Sequence, residues 1–362
     1  MKVLWKIALL LVVLLALFYV MGSRVQENEP LESPVKHGTA IPVPNKEFVE
    51  MTAGPKRPET GLSIFVGKPS EKLVKAMGQP DRIEPSAYGY DWWVYSNDDV
   101  RMMAGVGEGI VNQVFSADTD SDLSPIVVGQ NINEVFRFSI IESEVNVVLN
   151  ENIYTFTLNS QDLKDRILLK YEDLYAQVYV DAEDEIIESV RFIDPKTLVV
   201  HQPYDMEFMG ELVTANRPSS TVQMEVDRSM ERQIVELTNI YRERHGLNLL
   251  NNDYWLSVLA RNHSKDMAIE NYFSHESPSA GNLAERLKSF EIEHKKAGEN
   301  IAANYVDAIE AVHGWLNSPA HRSVLLDSEA TDIGTGAYGK YYTQVLVKSD
   351  RKENMKPGYM QK

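Results

Sequence analysis

The chain contains no cysteine, so its chemistry must come from oxygen and imidazole groups. Thiol nucleophiles, thiolate zinc sites, iron–sulfur clusters and disulfides are excluded together. Six of the eight histidines fall in the last third: His245, His263, His275, His294, His313 and His321. His275 stands in Tyr272-Phe-Ser-His-Glu-Ser-Pro278, where a helix ends and a loop begins, a place where a ring is held by the scaffold and faces a cleft. The His275-Glu276 pair does not open a zincin helix, because Pro278 breaks the turn and Ser279 occupies the second ligand position. In Ala297-Gly-Glu-Asn-Ile-Ala302 the glycine is expected to turn the backbone and aim Glu299 inward. A helix continued through Trp315-Leu-Asn-Ser-Pro-Ala-His-Arg322 puts Ser318 and His321 on one face. His263, on an apolar stripe, is expected as a buried ring with one hydrogen bond, and His245, His294 and His313 as surface residues.

The elements that position these residues are legible from periodicity. Met230, Ile234, Leu237 and Tyr241 share a helical face that ends at Gly246; Leu256, Leu259, Ala260, His263 and Met267 form a second stripe. A third helix carries Ile309, Val312, Trp315 and Leu316, and Ile333–Tyr338 with Tyr341–Val347 alternates as a hairpin. Upstream, two similar units are expected. The first opens at Val66-Gly67, has a helix over Ser70–Met77 and strands near Tyr90–Tyr95, Val100–Met103 and Ile110–Phe115. The second opens at Val128-Gly129, has an Asn131/Glu134 capping pair and alternating runs at Val145–Leu149, Ile153–Leu158, Ile167–Tyr171, Tyr175–Val180 and Ile186–Phe192. Trp92 and Trp93 put one indole on each sheet face, one for the core and one for contact with the last domain. Asp118, Asp120 and Asp122 resemble a calcium loop only at its start, since Leu123 and Gly129 stand where glycine and glutamate are needed.

Lys2 and Lys6 precede an unbroken apolar run from Ile7 to Met21, which reads as a retained membrane anchor or a signal peptide. Either form places the remainder outside the cytoplasm by the positive-inside rule. The proline-rich residues 23–61 lack apolar periodicity and are expected as a disordered stalk. With 53 acids against 36 bases and a net charge of −17, the chain lacks the basic surface that phosphate neutralisation demands, so nucleic acid is excluded as a partner.

The stretch from Arg228 to Val347 resembles a CAP domain, the superfamily of cysteine-rich secretory proteins, antigen 5 and pathogenesis-related proteins. The strings that carry the resemblance are Asn239-Ile-Tyr-Arg-Glu-Arg-His-Gly-Leu247, Ala260-Arg-Asn-His-Ser-Lys-Asp-Met267, Phe273-Ser-His275, Gly298-Glu-Asn-Ile-Ala302, Trp315–Arg322, Ile333-Gly-Thr-Gly336 and Tyr341-Tyr-Thr-Gln-Val345. The preceding region resembles the CAP-associated amino-terminal domain of membrane-anchored Gram-positive proteins. The resemblance implies an α-β-α sandwich with a three-stranded antiparallel sheet; with the duplicated helix-plus-antiparallel-sheet domain and the N-terminal membrane segment read from the pattern upstream, the chain is expected to be α+β. The expected organisation is an anchor over 1–22, stalk over 23–61, CAP-associated domain over 62–200 (units of about 62–117 and 126–194), connector over 201–227, CAP domain over 228–350 and tail over 351–362.

In the family the cleft carries two histidines and two glutamates. His275 and Glu299 match the first of each; Ser318 stands where the helical glutamate would be and Tyr341 where the second histidine would be, while His321 supplies an alternative imidazole. The resemblance therefore implies a ligand cleft lined by His275, Glu299, Ser318, His321 and Tyr341, with His275, Glu299 and His321 as ligands of zinc or another divalent metal. A small molecule, lipid or cell-envelope component is the expected ligand. The alternatives are a metal-dependent hydrolase of peptide or envelope polymer with Glu299 as base, a protein-interaction module using the accessory domain, and a purely structural Glu299 that caps backbone amides.

Overall fold

A computed structural model describes residues 24–35, 40–43, 54–96 and 101–349. The expected anchor and the tail lie outside the described residues. The segment expected as a disordered stalk contains three short strands, β1 (Arg24–Glu27), β2 (Leu31–Glu32) and β3 (Ile41–Pro42). Their partners lie far along the chain, which is why the segment shows no periodicity of its own. They add to sheets that the later domains have already built.

The accessory domain comprises α1 (Ser70–Met77), β4 (Arg82–Pro85), β5 (Asp91–Ser96), β6 (Arg101–Gly107), β7 (Ile110–Ser116), α2 (Ile132–Phe136), β8 (Glu144–Leu149), β9 (Asn152–Thr157), α3 (Asp162–Asp165), β10 (Arg166–Lys170), β11 (Tyr175–Asp181) and β12 (Ile186–Ile193). Both units open with the same backbone bonds. Gly67 N donates to Val111 O at 2.7 Å and Ser70 N to Gly109 O at 2.8 Å; in the second unit Gly129 N donates to Ile187 O at 2.8 Å and Ile132 N to Glu185 O at 2.9 Å. Gly67 and Gly129 both take positive φ, 80° and 87°, a region that costs a residue without Cβ little. The units join where β12 pairs antiparallel with β7, giving a seven-stranded sheet of order β10-β11-β12-β7-β6-β5-β4.

The expected connector, 201–227, contains a strand, and a helix leads into it. Asp194 caps α4 (Pro195–His201), accepting from Thr197 N at 2.6 Å with proline at the first helical position, and β13 (Asp205–Met209) pairs with β9. That pairing extends the β8–β9 hairpin into a smaller sheet of order β3-β13-β9-β8.

The C-terminal domain comprises α5 (Ser220–Arg244), β14 (Asn251–Asn252), α6 (Tyr254–Glu270), α7 (Leu283–Ser289), β15 (Lys296–Ala303), α8 (Ala308–Leu316), α9 (Pro319–Leu325), β16 (Asp332–Tyr338) and β17 (Tyr341–Lys348). Strands β15, β17 and β16 form the antiparallel centre, and β1, β2 and β14 add parallel edges. Alternation along β17 decides the layers: Val345 and Val347 pack toward α6 and α7, Tyr342 toward α5 and α8. A Cβ on Gly334 or Gly336 would lie 2.2 or 2.1 Å from the backbone of α6, so the Gly-Thr-Gly string exists to let that helix touch the sheet. The helix expected to run through Pro319 instead stops at Leu316 and restarts at Pro319.

One apolar core crosses both domains. Trp92, Val94, Met103, Phe115 and Tyr179 from the seven-stranded sheet pack with Met230, Ile234, Leu237, Ile309, Val312 and Trp315. Trp92 thus faces the last domain and Trp93 packs on the opposite core, as the alternation predicts. Buried ion pairs frame this core: Arg191 Nη2 meets Asp307 Oδ2 at 2.7 Å, and Arg166 Nη1 meets Glu310 Oε2 at 3.1 Å. His313, expected at the surface, is buried in this seam and its Nε2 contacts Asp165 O at 2.8 Å. A helix enclosed by two domains carries no exposed face to be read.

Arg191→Met leaves Asp307 buried without its cation, and the expected cost is about 3–5 kcal/mol in urea unfolding. A loss under about 1 kcal/mol would show that the seam does not depend on this pair.

Candidate functional site

Strand β15 holds the site because its residues alternate across the sheet. Ala297, Glu299 and Ile301 face α6 and α7, while Gly298 and Asn300 face α9. Gly298 does not turn the chain. It lies mid-strand, where an added Cβ would come within 2.9 Å of Val324, so its absence lets α9 approach and carry His321 to the strand edge.

Glu299 is fully buried and both of its oxygens are taken. Arg286 Nη2 donates to Oε1 at 2.7 Å and to Oε2 at 2.6 Å, and His275 Nδ1 lies 2.7 Å from Oε1. The second terminal nitrogen, Nη1, donates to the carbonyls of His275 at 2.5 Å and Gly281 at 2.9 Å, so one side chain ties the loop to the strand. Burial alone would raise the Glu299 pKa; the arginine and the histidine bond overcome it and hold the carboxyl at about 2. Arg286 escaped the sequence reading because an arginine in a short helix looks solvated. The available signal was its place beside Leu283 and Leu287, on the buried face of a helix opened by the Asn282/Glu285 capping box.

His263 also belongs to the site. Its Nε2 lies 3.9 Å from Glu299 Oε1, and neither ring nitrogen completes a hydrogen bond, in contrast to the one bond expected. Burial pushes its pKa down to about 4. On the far side of the edge, His321 Nδ1 lies 2.8 Å from Ser318 Oγ, so these residues do meet, with Ser318 at the start of α9 and not within a helix. Burial and the neighbouring His275, opposed by a loose contact with the Glu29 backbone, bring His321 to about 4. Asn300 joins this half to the sheet through Nδ2, which donates to His321 O at 3.1 Å and to Gln344 Oε1 at 3.0 Å. Tyr341 is set apart, its ring packed edge-on against Phe273 with centroids 6.1 Å apart.

The site is covered. His263 and His321 are 2% exposed, His275 6% and Glu299 0%, so the open hollow expected from the sequence is closed. The cover is the segment around Asn28 and Glu29: Asn28 Nδ2 donates to Asn300 Oδ1 at 3.1 Å, and the Glu29 backbone lies on His321.

The expected metal ligands His275, Glu299 and His321 do not fit a divalent ion. A guanidinium already neutralises the carboxylate, and a cation placed there would face it directly. Among the described residues, the one group of three His, Asp or Glu ligand atoms within 4.8 Å of each other is Asp181, Asp184 and His245, at the domain seam. Arg322 stands among these as well, 2.6 Å from Asp181 Oδ2 and 3.1 Å from Asp184 Oδ2. His245, expected at the surface, is drawn into this cluster and its pKa is raised by its bond to Asp181.

Residues 66–204 match the family model described as CAP-associated N-terminal, and residues 235–348 match that of the cysteine-rich secretory protein family. The chain is 39% identical over 292 residues to YlbC of Bacillus subtilis, named an uncharacterized membrane protein, with 80% of this chain and 84% of YlbC covered. YkwD of the same organism, an uncharacterized protein, is 31% identical over 62% of this chain and 87% of its own length. Among solved structures, an extracellular protein containing a SCP domain from Bacillus anthracis superposes with a TM-score of 0.77 at 34% identity, over 83% of this chain and 100% of that one. A cysteine-rich secretory protein from Staphylococcus aureus gives 0.76 at 25% identity, over 90% and 100%. By these matches, and by the sandwich and cleft residues that accompany them, the chain belongs to the cysteine-rich secretory protein, or CAP, family, in the form that carries a CAP-associated amino-terminal domain.

Proposed function

We propose that this is a membrane-tethered protein of the extracytoplasmic face whose CAP cleft binds an uncharged polar ligand, such as a small molecule, a lipid or a cell-envelope component, without cleaving it. The location is supported by the basic residues before the apolar run Ile7–Met21, by the name of the YlbC relative and by the extracellular Bacillus anthracis neighbour. The binding role rests on one observation. Four ring nitrogens, both of His263 and the Nε2 atoms of His275 and His321, are buried and complete no hydrogen bond of good geometry within the protein; His263 and His321 have only looser contacts with the backbones of Ser274 and Glu29. Each such group costs about 1–3 kcal/mol if left unsatisfied, so a cluster of them marks a place built to receive a partner.

The hydrolase reading is opposed by the same geometry. A general base works best with a pKa near the operating pH, and a carboxylate held at about 2 by an arginine that contacts both of its oxygens lacks the basicity.

In the decisive test, detergent-solubilised full-length protein is incubated with envelope extract and the retained component is identified by mass spectrometry. Wild-type protein is expected to retain a polar component that His275→Ala combined with His321→Ala loses about tenfold or more. Equal retention by the double variant would remove the cleft reading. Turnover of peptide or envelope polymer that Glu299→Gln abolishes would replace binding by hydrolysis.

The titration of the buried rings gives a second prediction. His263 at about 4 and His313 at about 3 are both depressed, so the unfolded chain takes up protons first as pH falls. The stability these rings contribute is therefore lost from about pH 6.5 down toward pH 4, by an amount of order 3 kcal/mol per ring. The depressed Glu299 adds a further loss as pH falls from the ordinary carboxylate range toward about 2. His245, with its raised pKa, works in the opposite sense. Carboxyls raised by burial, Glu231 to about 8 and Asp165 to about 6, work against this loss, so the test is a difference: urea midpoints of wild type and His263→Gln are compared between pH 7 and 4, and the variant is expected to lose less on acidification; equal slopes would contradict the assignment.

A further inference from the structure

Strand β15 is the outer strand of the antiparallel centre: one side pairs with β17 from Lys296 to Ala303, and the other receives no strand from its own domain. An edge of this kind is a ready template for another chain. It is filled by residues from the far end of the sequence. β1 pairs parallel with Lys296–Glu299, β2 pairs parallel with Ala302 and Ala303, and Ser33 N donates to Ala303 O at 2.9 Å.

Between these two pairings the strap changes register. Glu27 stands opposite Glu299 and Leu31 opposite Ala302, so Asn28, Glu29 and Pro30 span only two residues of β15, Asn300 and Ile301. The extra residue makes the strap arch, and the arch is where the Glu29 backbone lies on His321.

The strap is read on both sides of the edge. Val25 packs on the core of Leu256, Leu283 and Val345, while Leu31 packs on the core that spans both domains. Gln26 Nε2 donates to Ser323 Oγ at 2.6 Å on one side, and Glu27 Oε1 accepts from Leu283 N at 2.9 Å on the other. Asn28 is read by Asn300 at the centre. Backbone pairing with alternating side-chain pockets is the way sheet edges recognise extended peptides.

We propose that the outer edge of β15 is a binding groove for an extended peptide strand, and that residues 24–33 of this chain occupy it in cis as a displaceable cover over the imidazoles. The inference rests on reading the cleft as a binding site and names its ligand class. The ligand is a peptide segment in parallel register, with apolar side chains at the Val25 and Leu31 positions and a polar, proline-containing arch between them. Its backbone amides are uncharged and polar, and at the arch a peptide in this register presents its backbone to the ring of His321, as Glu29 of the strap does. A covalently attached strap competes at an effective concentration of order millimolar, so a free peptide enters only when the strap is weakened or drawn away.

The test uses full-length protein in detergent and a fluorescent peptide of residues 24–35, followed by anisotropy. Val25→Asp together with Leu31→Asp removes both apolar anchors of the strap and leaves β15 untouched. This variant is expected to bind the free peptide at least about tenfold more tightly than wild type. A variant that keeps its far-ultraviolet spectrum and cooperative melt, yet binds no better than wild type, overturns the proposal. Should the aspartates prevent folding, Val25→Gly with Leu31→Gly is measured in the same way with the same two outcomes. Dead-time exchange of the Ser33 amide in the wild-type protein would also overturn it, because the strap would then not be docked. Failure of the underlying cleft reading is separate: peptide binding that survives His275→Ala with His321→Ala upholds the edge and removes the imidazoles. Retention of an envelope component by wild type, with no peptide binding by the strap variant, does the reverse.

Discussion

The buried pair between Arg286 and Glu299 governs the chemistry of this protein. A carboxylate enclosed in a sheet and α-helices is tolerable only with its charge matched and its oxygens hydrogen-bonded; Arg286 matches the charge and reaches both oxygens from one nitrogen, Nη2, at 2.7 and 2.6 Å, and His275 adds a third bond. The same guanidinium holds the carbonyls of His275 and Gly281, so the loop that presents His275 is fastened to the strand that presents Glu299. The consequence is directional: the ring of His275 bonds the carboxylate through Nδ1, which leaves Nε2 to face away from it. A site arranged around a locked ion pair is suited to holding polar groups. It is poorly suited to binding a cation or to shuttling a proton.

The second half of the site depends on the accessory domain. His321 sits on α9, and its neighbour Arg322 is gripped by Asp181, Glu183 and Asp184 at the turn between β11 and β12. Preceding α9, helix α8 is enclosed by ion pairs to Arg166 and Arg191 of the accessory sheet. The position of one cleft imidazole is thus set by charges in another domain. This gives the CAP-associated domain a physical role in the CAP cleft, and explains why the two share a single apolar core. The acidic group at the seam is part of this fastening, with Arg322 paired to both of its carboxylates.

What could be read from the sequence was whatever is written in local periodicity. The alternating runs at Tyr175–Val180 and Ile186–Phe192 match β11 and β12, and the stripe from Leu256 to Met267 matches α6, because each element has one dominant burial face. The pairing of His275 with Glu299 was accessible through the family pattern. Misreadings arose where a residue's partner lies outside its own domain. His313 seemed exposed because the domain that buries it is not its own, and residues 24–35 seemed disordered because their periodicity belongs to β15. Arg286 was overlooked because a long-range acceptor converts a surface residue type into a core one. Gly298 was assigned a turn when its function is to admit Val324.

The strap's thermodynamics follow from its brevity. Four residues pair at one end and two at the other, with an unpaired arch between, whereas β15 and β17 share an unbroken eight-residue ladder. Local opening free energy scales with the contacts broken, so this segment belongs to the least stable part of the domain even though it covers the most buried polar groups. Parallel pairing contributes slightly less per residue than antiparallel pairing, which lowers the cost of release further. Covalent attachment compensates: the closed state persists because the segment never diffuses away, and tethering imposes only a loop-closure term that grows with the logarithm of loop length. A cover that is weak in contacts and strong in local concentration is sensitive to force or competition applied at its own end. In the sequence only Gly22 and Ser23 separate it from the apolar run Ile7–Met21, so the strap directly follows the expected membrane segment along the chain.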